Sequence, residues 1–348
     1  MPAKLIRDLE EGEKVVSFAH LRTLQVRQKK DGSPYLRLVL GDRTGRIEGR
    51  VWDDADRIFP LLQDGGFVKY RGRVETYNGA RQLIVDQLRM VERQDHEAGF
   101  SERDLIPTTR YDIDAMWREL RAKIESETAR PAVRQALNNV LDRYADSVRT
   151  FPAGVEIHHE YYGGFLEHVL SVLDSVLFFS DKYPDLDRDL LISGAVLHDI
   201  GKLEELSGPL NPSYTAVGRL IGHVVIGRDI FREESARVPD FPSELGMLIE
   251  HLILSHQGQL EWGSPKEPMI PEAFLLHYVD DLDAKMNRIL RVIAEDAQAP
   301  SEFTRYDRYL QRFLYKRGAE TPAAGQDDAD EEESRSGREA SKAPGLPF

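Results

Sequence analysis

A small all-β barrel followed by an all-α domain, with an acidic tail behind it, is the architecture the 348-residue sequence predicts. Three observations predict it. Residues 14–93 hold short segments of period two separated by turn signals, the pattern of half-buried strands. From Ile113 onward apolar residues recur at helical spacing instead. After Arg317 the chain becomes acidic and rich in Ala, Gly, Ser and Asp, with too little apolar surface to order itself. The expected division is a barrel over 1–95, a linker over 96–110, a helical domain over 111–317 and a disordered tail over 318–348.

The barrel comes first. Five strands are expected at Lys14–Val26, Tyr35–Leu40, Arg46–Trp52, Phe67–Val74 and Arg81–Met90, with turns at Asp31–Gly32, Thr44–Gly45, Gly65–Gly66 and Asn78–Gly79. Five strands in about 80 residues fit an OB-type barrel, whose outer strand face binds single strands. On the fourth strand, period two sets Phe67, Lys69, Arg71 and Arg73 on one face and Val68, Tyr70 and Val74 on the other. A row of three cations beside an aromatic ring suits a phosphate backbone with a stacked base. Tyr35, Arg37, Arg50, Trp52, Tyr77 and Arg81 are candidates to extend that surface.

Residues 94–110 lose periodicity, and helical spacing then begins with Met116, Leu120 and Ile124. Val133, Leu137, Val140 and Leu141 continue it, with Pro131 favouring a helix start. The stretch 163–202 is the centre of the domain. Leu166, Val169, Leu170 and Leu173 put His168 beside a packed face, and the apolar run Leu190–Leu197 delivers the doublet His198–Asp199. Gly201 is expected to loosen the helix there and let Lys202 approach.

Composition limits the chemistry. The absence of cysteine removes disulfides, thiolate metal sites and catalytic thiols. No signal-peptide pattern opens the chain and no apolar run reaches membrane length, so a cytoplasmic protein without a membrane partner is expected. The net charge of −14 argues against nucleic acid until it is divided: residues 1–95 carry +3, residues 320–348 carry −5, and −12 remains between them.

Seven of the ten histidines lie between His158 and His256. His168, His198, Asp199, His223, His256 and Asp280 each sit in or beside an apolar helical segment, where an unpaired carboxylate or imidazole is costly. A divalent cation relieves that cost. Imidazole with carboxylate suits Mn, Fe, Co, Ni or Zn, and six such residues exceed the needs of one tetrahedral ion. Two ions bridged by Asp199 are the simpler arrangement. Lys202 is a candidate to neutralise a phosphate oxygen, His158 and His159 to touch the terminal nucleotide, and Trp262 to stack a base. Asp283 is a candidate to orient an imidazole, and His277 either supports the site or packs.

His168, His198–Asp199 and Asp280 together resemble the H…HD…D signature of the HD metal-dependent phosphohydrolase superfamily. The stretches HHEYYGGFLEHVLSV, DLLISGAVLHDIGK, YTAVGRLIGHVVIG, HLILSHQGQLEWGSP and LLHYVDDLDAK are more closely similar to the YhaM-type 3′–5′ exoribonucleases. That resemblance spans about residues 10–315 and implies an N-terminal OB-fold joined to an HD domain. It implies a metal-dependent enzyme, with Mn first among Fe, Co, Ni, Zn and Mg. The implied reaction releases 5′-mononucleotides from the 3′ end of single-stranded RNA, with single-stranded DNA as a further substrate. The implied catalytic residues are Asp199, His198 and Lys202; the implied ligands are His168, His198, Asp199 and Asp280, with His223 and His256 for a second ion. The family pattern has His-His where this chain has His256–Gln257, so the second ion is expected to be weak, exchangeable or absent. Two alternatives stand beside this reading: an HD hydrolase of nucleotides or cyclic dinucleotides, and a non-catalytic single-strand-binding protein.

Overall fold

The computed structural model describes residues 4–154, 161–210, 212–297 and 301–317. It divides into two compact units, Met1–Asn287 and Arg288–Phe348. The expected strands are all present: β1 (Lys14–Gln28), β2 (Pro34–Asp42), β3 (Gly45–Val51), β4 (Phe67–Tyr77) and β5 (Ala80–Met90). They close a barrel in the order β1-β2-β3-β5-β4, with β3 and β5 parallel and the other pairs antiparallel. β1 is long enough to serve two partners. Its first half pairs with β4, its second with β2, and an irregularity between Leu21 and Thr23 turns it from one to the other. Period two governs the core: Leu36, Leu38 and Leu40 of β2 and Val68, Tyr70 and Val74 of β4 are buried.

A short helix, α1 (Ala55–Ile58), follows β3. The end of the expected barrel and the start of the linker expected over 96–110 form α2 (Arg93–Glu97), started by a capping box between Glu92 and Asp95. Five residues are too few to print a helical period, which is why the stretch reads as irregular.

The helical part contains α3 (Ile113–Glu127), α4 (Pro131–Arg143), α5 (Ala145–Thr150), α6 (Gly164–Lys182), α7 (Arg188–Leu197) and α8 (Lys202–Glu205), then α9 (Ala216–Ile221), α10 (His223–Ser235), α11 (Ser243–Ser255) and α12 (Pro271–Glu295). Pro131 stands in the first turn of α4, where a missing N–H costs nothing. α7 is the axis. Every residue from Asp189 to Leu197 is buried, and α6 and α11 pack against it. The buried Asp189 accepts hydrogen bonds from the Ala129 and Arg130 amides at 2.8 Å, joining the start of α4 to α7. No helix among the described residues is long and apolar enough to cross a membrane.

In the second unit, residues 303–315 fold back on themselves through bridges pairing Phe303 with Tyr315 and Asp307 with Arg312. Arg288 donates to Asp307 at 2.6 Å. The expected tail, 318–348, and His158 and His159 lie outside the described residues.

Candidate metal centre

Five helix ends or faces deliver the site. His168 lies within α6, while His198 caps α7 and Asp199 occupies the turn that follows. His223 opens α10, immediately after Gly222 with φ +80°. His256 caps α11, and α12 presents Asp280 and Asp283 one turn apart. His168, His198 and His256 are completely buried, and Asp199 nearly so.

Hydrogen bonds at Nδ1 decide where each imidazole lone pair points. His198 donates through Nδ1 to the Gly194 and Ala195 carbonyls, and His256 donates to the Ile253 carbonyl at 2.8 Å. His168 Nδ1 faces Asp283 Oδ2 at 2.7 Å, the orienting role expected of Asp283. Each Nε2 is therefore left to accept. Yet His168 Nε2 and His198 Nε2 face each other at 3.1 Å. Asp280 Oδ1 lies 3.2 and 3.7 Å from these two nitrogens.

A second cluster shares one residue with the first. Asp199 turns Oδ2 toward His198 (3.5 Å) and His168 (3.7 Å), and Oδ1 toward His223 (3.5 Å) and His256 (3.6 Å). Within each of the triads His168–His198–Asp280 and Asp199–His223–His256, the donor atoms lie within 4.8 Å of one another. Asp199 Oδ1 is buried and has no hydrogen-bond partner. A buried carboxylate oxygen without a hydrogen-bond partner, facing the Nε2 atoms of His223 and His256, fits a divalent cation.

The electrostatics agree. Burial pushes the His168 imidazole down, but Asp280 and Asp283 outweigh it and raise its pKa to about 10. The field that would hold a proton there would equally hold a cation. His198, without such carboxylate bonds, is pushed by burial down to about 4 and stays a neutral donor. Burial opposes ionisation of Asp199, yet Lys202 and the imidazoles hold its carboxyl well below the usual range.

Lys202 donates to Asp199 Oδ2 at 2.6 Å and to the Ala153 carbonyl at 2.9 Å, so two of its three N–H bonds are committed to holding Asp199. Glu205, which sequence reasoning passed over, accepts from the His223 amide at 3.0 Å and faces His223 Nδ1 at 3.4 Å. Nothing in KLEEL distinguishes it from a surface glutamate. His277 donates to the His256 carbonyl at 2.9 Å and thus supports the site from behind. His251 stands apart, accepting from the Met269 amide.

The HD domain model matches residues 165–285, and the model described as an OB-fold nucleic acid binding domain matches residues 23–91. The chain is 34% identical over 302 residues to the 3′-5′ exoribonuclease YhaM of Geobacillus sp. (strain WCH70), an alignment covering 87% of this chain and 91% of that protein. The chain belongs to the YhaM family. Among solved structures, the second OB-fold domain of replication protein A from Methanococcus maripaludis is 21% identical, covering 26% of this chain and 95% of its own, with a TM-score of 0.22. An OB domain from Thermoplasma acidophilum is 23% identical, covering 26% of this chain and 86% of its own, with a TM-score of 0.22.

In this YhaM-family chain the barrel residues expected to meet nucleic acid divide into two groups. On β4, Lys69 donates to the buried Asp95 of α2 at 2.9 Å, and Arg89 binds the same carboxylate. Phe67 stacks on His20, Arg73 pairs with Glu75, and Arg71 is exposed. On the outer face of β2 and β3, joined by Tyr77 at the end of β4, the half-buried side chains are aromatic and cationic. Tyr35 and Trp52 lie 4.8 Å apart, and the Arg50 guanidinium stands over both Trp52 (5.5 Å) and Tyr77 (5.4 Å). Glu48 pairs with Arg37 and Arg50 and fixes their spacing. Trp262 is half exposed and lies 5.9 Å, ring to ring, from His277.

Proposed function

We propose that this protein is a divalent-metal-dependent 3′–5′ exoribonuclease that holds single-stranded RNA on its barrel and hydrolyses the terminal phosphodiester at the Asp199 centre. One observation carries the proposal: Asp199 turns Oδ2 toward the His168–His198–Asp280 triad and Oδ1 toward His223 and His256. Family membership supplies the polarity and the RNA substrate, since the Geobacillus relative is a 3′-5′ exoribonuclease.

Divalent cations bound there would acidify water and stabilise charge developing on the phosphate oxygens. His168, His198, Asp280 and Asp199 would hold one; Asp199, His223 and His256 would hold another. Asp283 and Glu205 hold His168 and His223 in the orientation that aims Nε2 inward, and Lys202 holds Asp199 between the two groups. Mn is our choice of metal on the family resemblance; nitrogen and carboxylate donors without thiolate suit it alongside Fe, Co, Ni and Zn. The products are 5′-mononucleotides, single-stranded DNA is a second substrate, and the site of action is the cytoplasm. His158, His159 and Trp262 are proposed contacts to the terminal nucleotide.

The barrel surface we favour for single strands is Tyr35, Arg37, Arg50, Trp52 and Tyr77, with Phe67, Lys69, Arg71 and Arg73 as a flanking track. Stacking planes under a guanidinium suit successive bases and phosphates. The test is a 5′-labelled single-stranded RNA incubated with Mn-supplemented protein. A ladder descending from the 3′ end is expected, and Asp199→Asn should lower turnover by more than about 100-fold while retaining RNA binding. An immediate short product, or near-normal turnover in that variant, would overturn the reading.

A further inference from the structure

Gln257 follows His256 at the end of α11, and its amide terminus reaches into the second cluster. The atom placed as Nε2 lies 3.0 Å from His256 Nε2 and 3.4 Å from His223 Nε2. Asp199 Oδ1 lies 3.6 and 3.5 Å from those same nitrogens. Atoms bound about 2.1 Å from one cation, at angles between about 90° and 109°, stand about 3.0 to 3.4 Å apart. The amide terminus therefore stands where it can share a cation with both imidazoles, at a spacing that a hydrogen bond to them also has. A half-turn about the last side-chain bond exchanges the amide nitrogen and oxygen without changing the shape of the group.

The turn that carries Gln257 is fixed from behind. Gly258 has φ +80°, and a Cβ there would come within 2.2 Å of the His277 ring. His277 in turn donates to the carbonyl of His256. The backbone on either side of Gln257 is thus held, and its half-buried side chain is directed at His223 and His256.

We propose that Gln257 is the fourth protein ligand of the second cation, binding through its amide oxygen, and that it makes this the weaker of two unequal sites. The first cluster brings Asp280 and also faces Asp199 Oδ2, whereas the second shares Asp199 and adds no further carboxylate ligand, only imidazoles and the amide. Less negative charge means looser binding. An exchangeable ion follows from a ligand that is neutral, rather than from one that is missing. This inference rests on the metal reading proposed above and assigns a residue to it.

The decisive experiment is titration of metal-stripped, full-length protein with Mn2+, following free Mn2+ by electron paramagnetic resonance and heat by calorimetry. Wild type should bind two ions per chain with separable constants. Gln257→Ala should weaken the second at least tenfold and leave the first within twofold; Gln257→Glu, of the same length, should tighten the second about tenfold. An unchanged or tighter second constant in Gln257→Ala would overturn the proposal, because the amide would then act only as a hydrogen-bond donor to the imidazoles. Two equal ions, or a single ion, in wild type would overturn it as well. Failure of wild type to bind any ion would instead refute the metal reading of the whole centre.

Discussion

Asp283 touches neither triad through a ligand atom, yet it decides whether His168 can serve. Its Oδ2 accepts a hydrogen bond from His168 Nδ1, and its Oδ1 accepts from Ser171. Without it the ring is free to turn, or to carry its proton on the wrong nitrogen. Asp283→Ala should lower metal affinity or turnover about 10- to 100-fold, and Asp283→Asn should lose less, because the amide oxygen still accepts. Metal titration alongside initial rates checks this; an Asp283→Ala protein with wild-type affinity and rate would remove the role. The carboxylate was legible in LDAK, three residues after Asp280, because helical spacing sets the two on one face. Glu205 was not legible, since its partner lies 18 positions away on another helix.

At the scale of elements, the doublet His198–Asp199 meets His223 because the turn between α7 and α8 packs against α10. Gly201 was expected to loosen the helix. In the fold it serves a different purpose, because a Cβ there would stand 2.0 Å from the His223 carbonyl oxygen and 2.6 Å from the Gly227 nitrogen. The glycine lets two backbones touch, and so lets His223 approach Asp199. Gly201→Ala should cost about 1–3 kcal/mol of stability, as overpacking does, and should disturb ion binding at His223 before ion binding at His168. Thermal melting with Mn2+ titration reads both, and an unshifted melting temperature would argue against the contact.

The barrel carries its own pH sensitivity. His20 of β1 is buried, and burial, with Arg22 nearby, pushes its pKa down to about 4. Since the unfolded value is near 6.5, the unfolded chain binds more protons below that pH. Barrel stability is therefore full above about pH 6.5 and declines as pH falls toward 4, by up to about 3 kcal/mol from this group. Hydrogen exchange of the strand amides at pH 7 and pH 5 should show a larger loss in wild type than in His20→Gln. Equal losses would mean that His20 is not the titrating group.

For the whole molecule, the division of charge matters more than its sum. The mildly basic first 95 residues suit a polyanion, while the negative charge lies in the middle and the tail. Replacing Arg50 and Trp52 together by Ala should raise KM for long single-stranded RNA while sparing dinucleotides, and should flatten the salt dependence by about one phosphate contact. Equal loss on both lengths would place the grip elsewhere. The β4 row was legible as a period-two pattern, but that pattern does not show which charges a neighbouring element has already claimed. Asp95, on a helix too short to announce itself, claims Lys69.

Periodicity and turn residues determined the five strands, the main helices and the burial of the ligand-type residues, because local spacing sets which side chains share a face. The order H…HD…D pointed to the HD superfamily, and the longer stretches around it to the YhaM family, because an ordered string is all that such a resemblance needs. Tertiary structure alone decided how donors from five helices meet around Asp199, that Glu205 supports His223, and that Gln257 reaches the Nε2 atoms of His223 and His256. Those relations join residues up to 115 positions apart, and they arise only when buried helices pack and their termini converge.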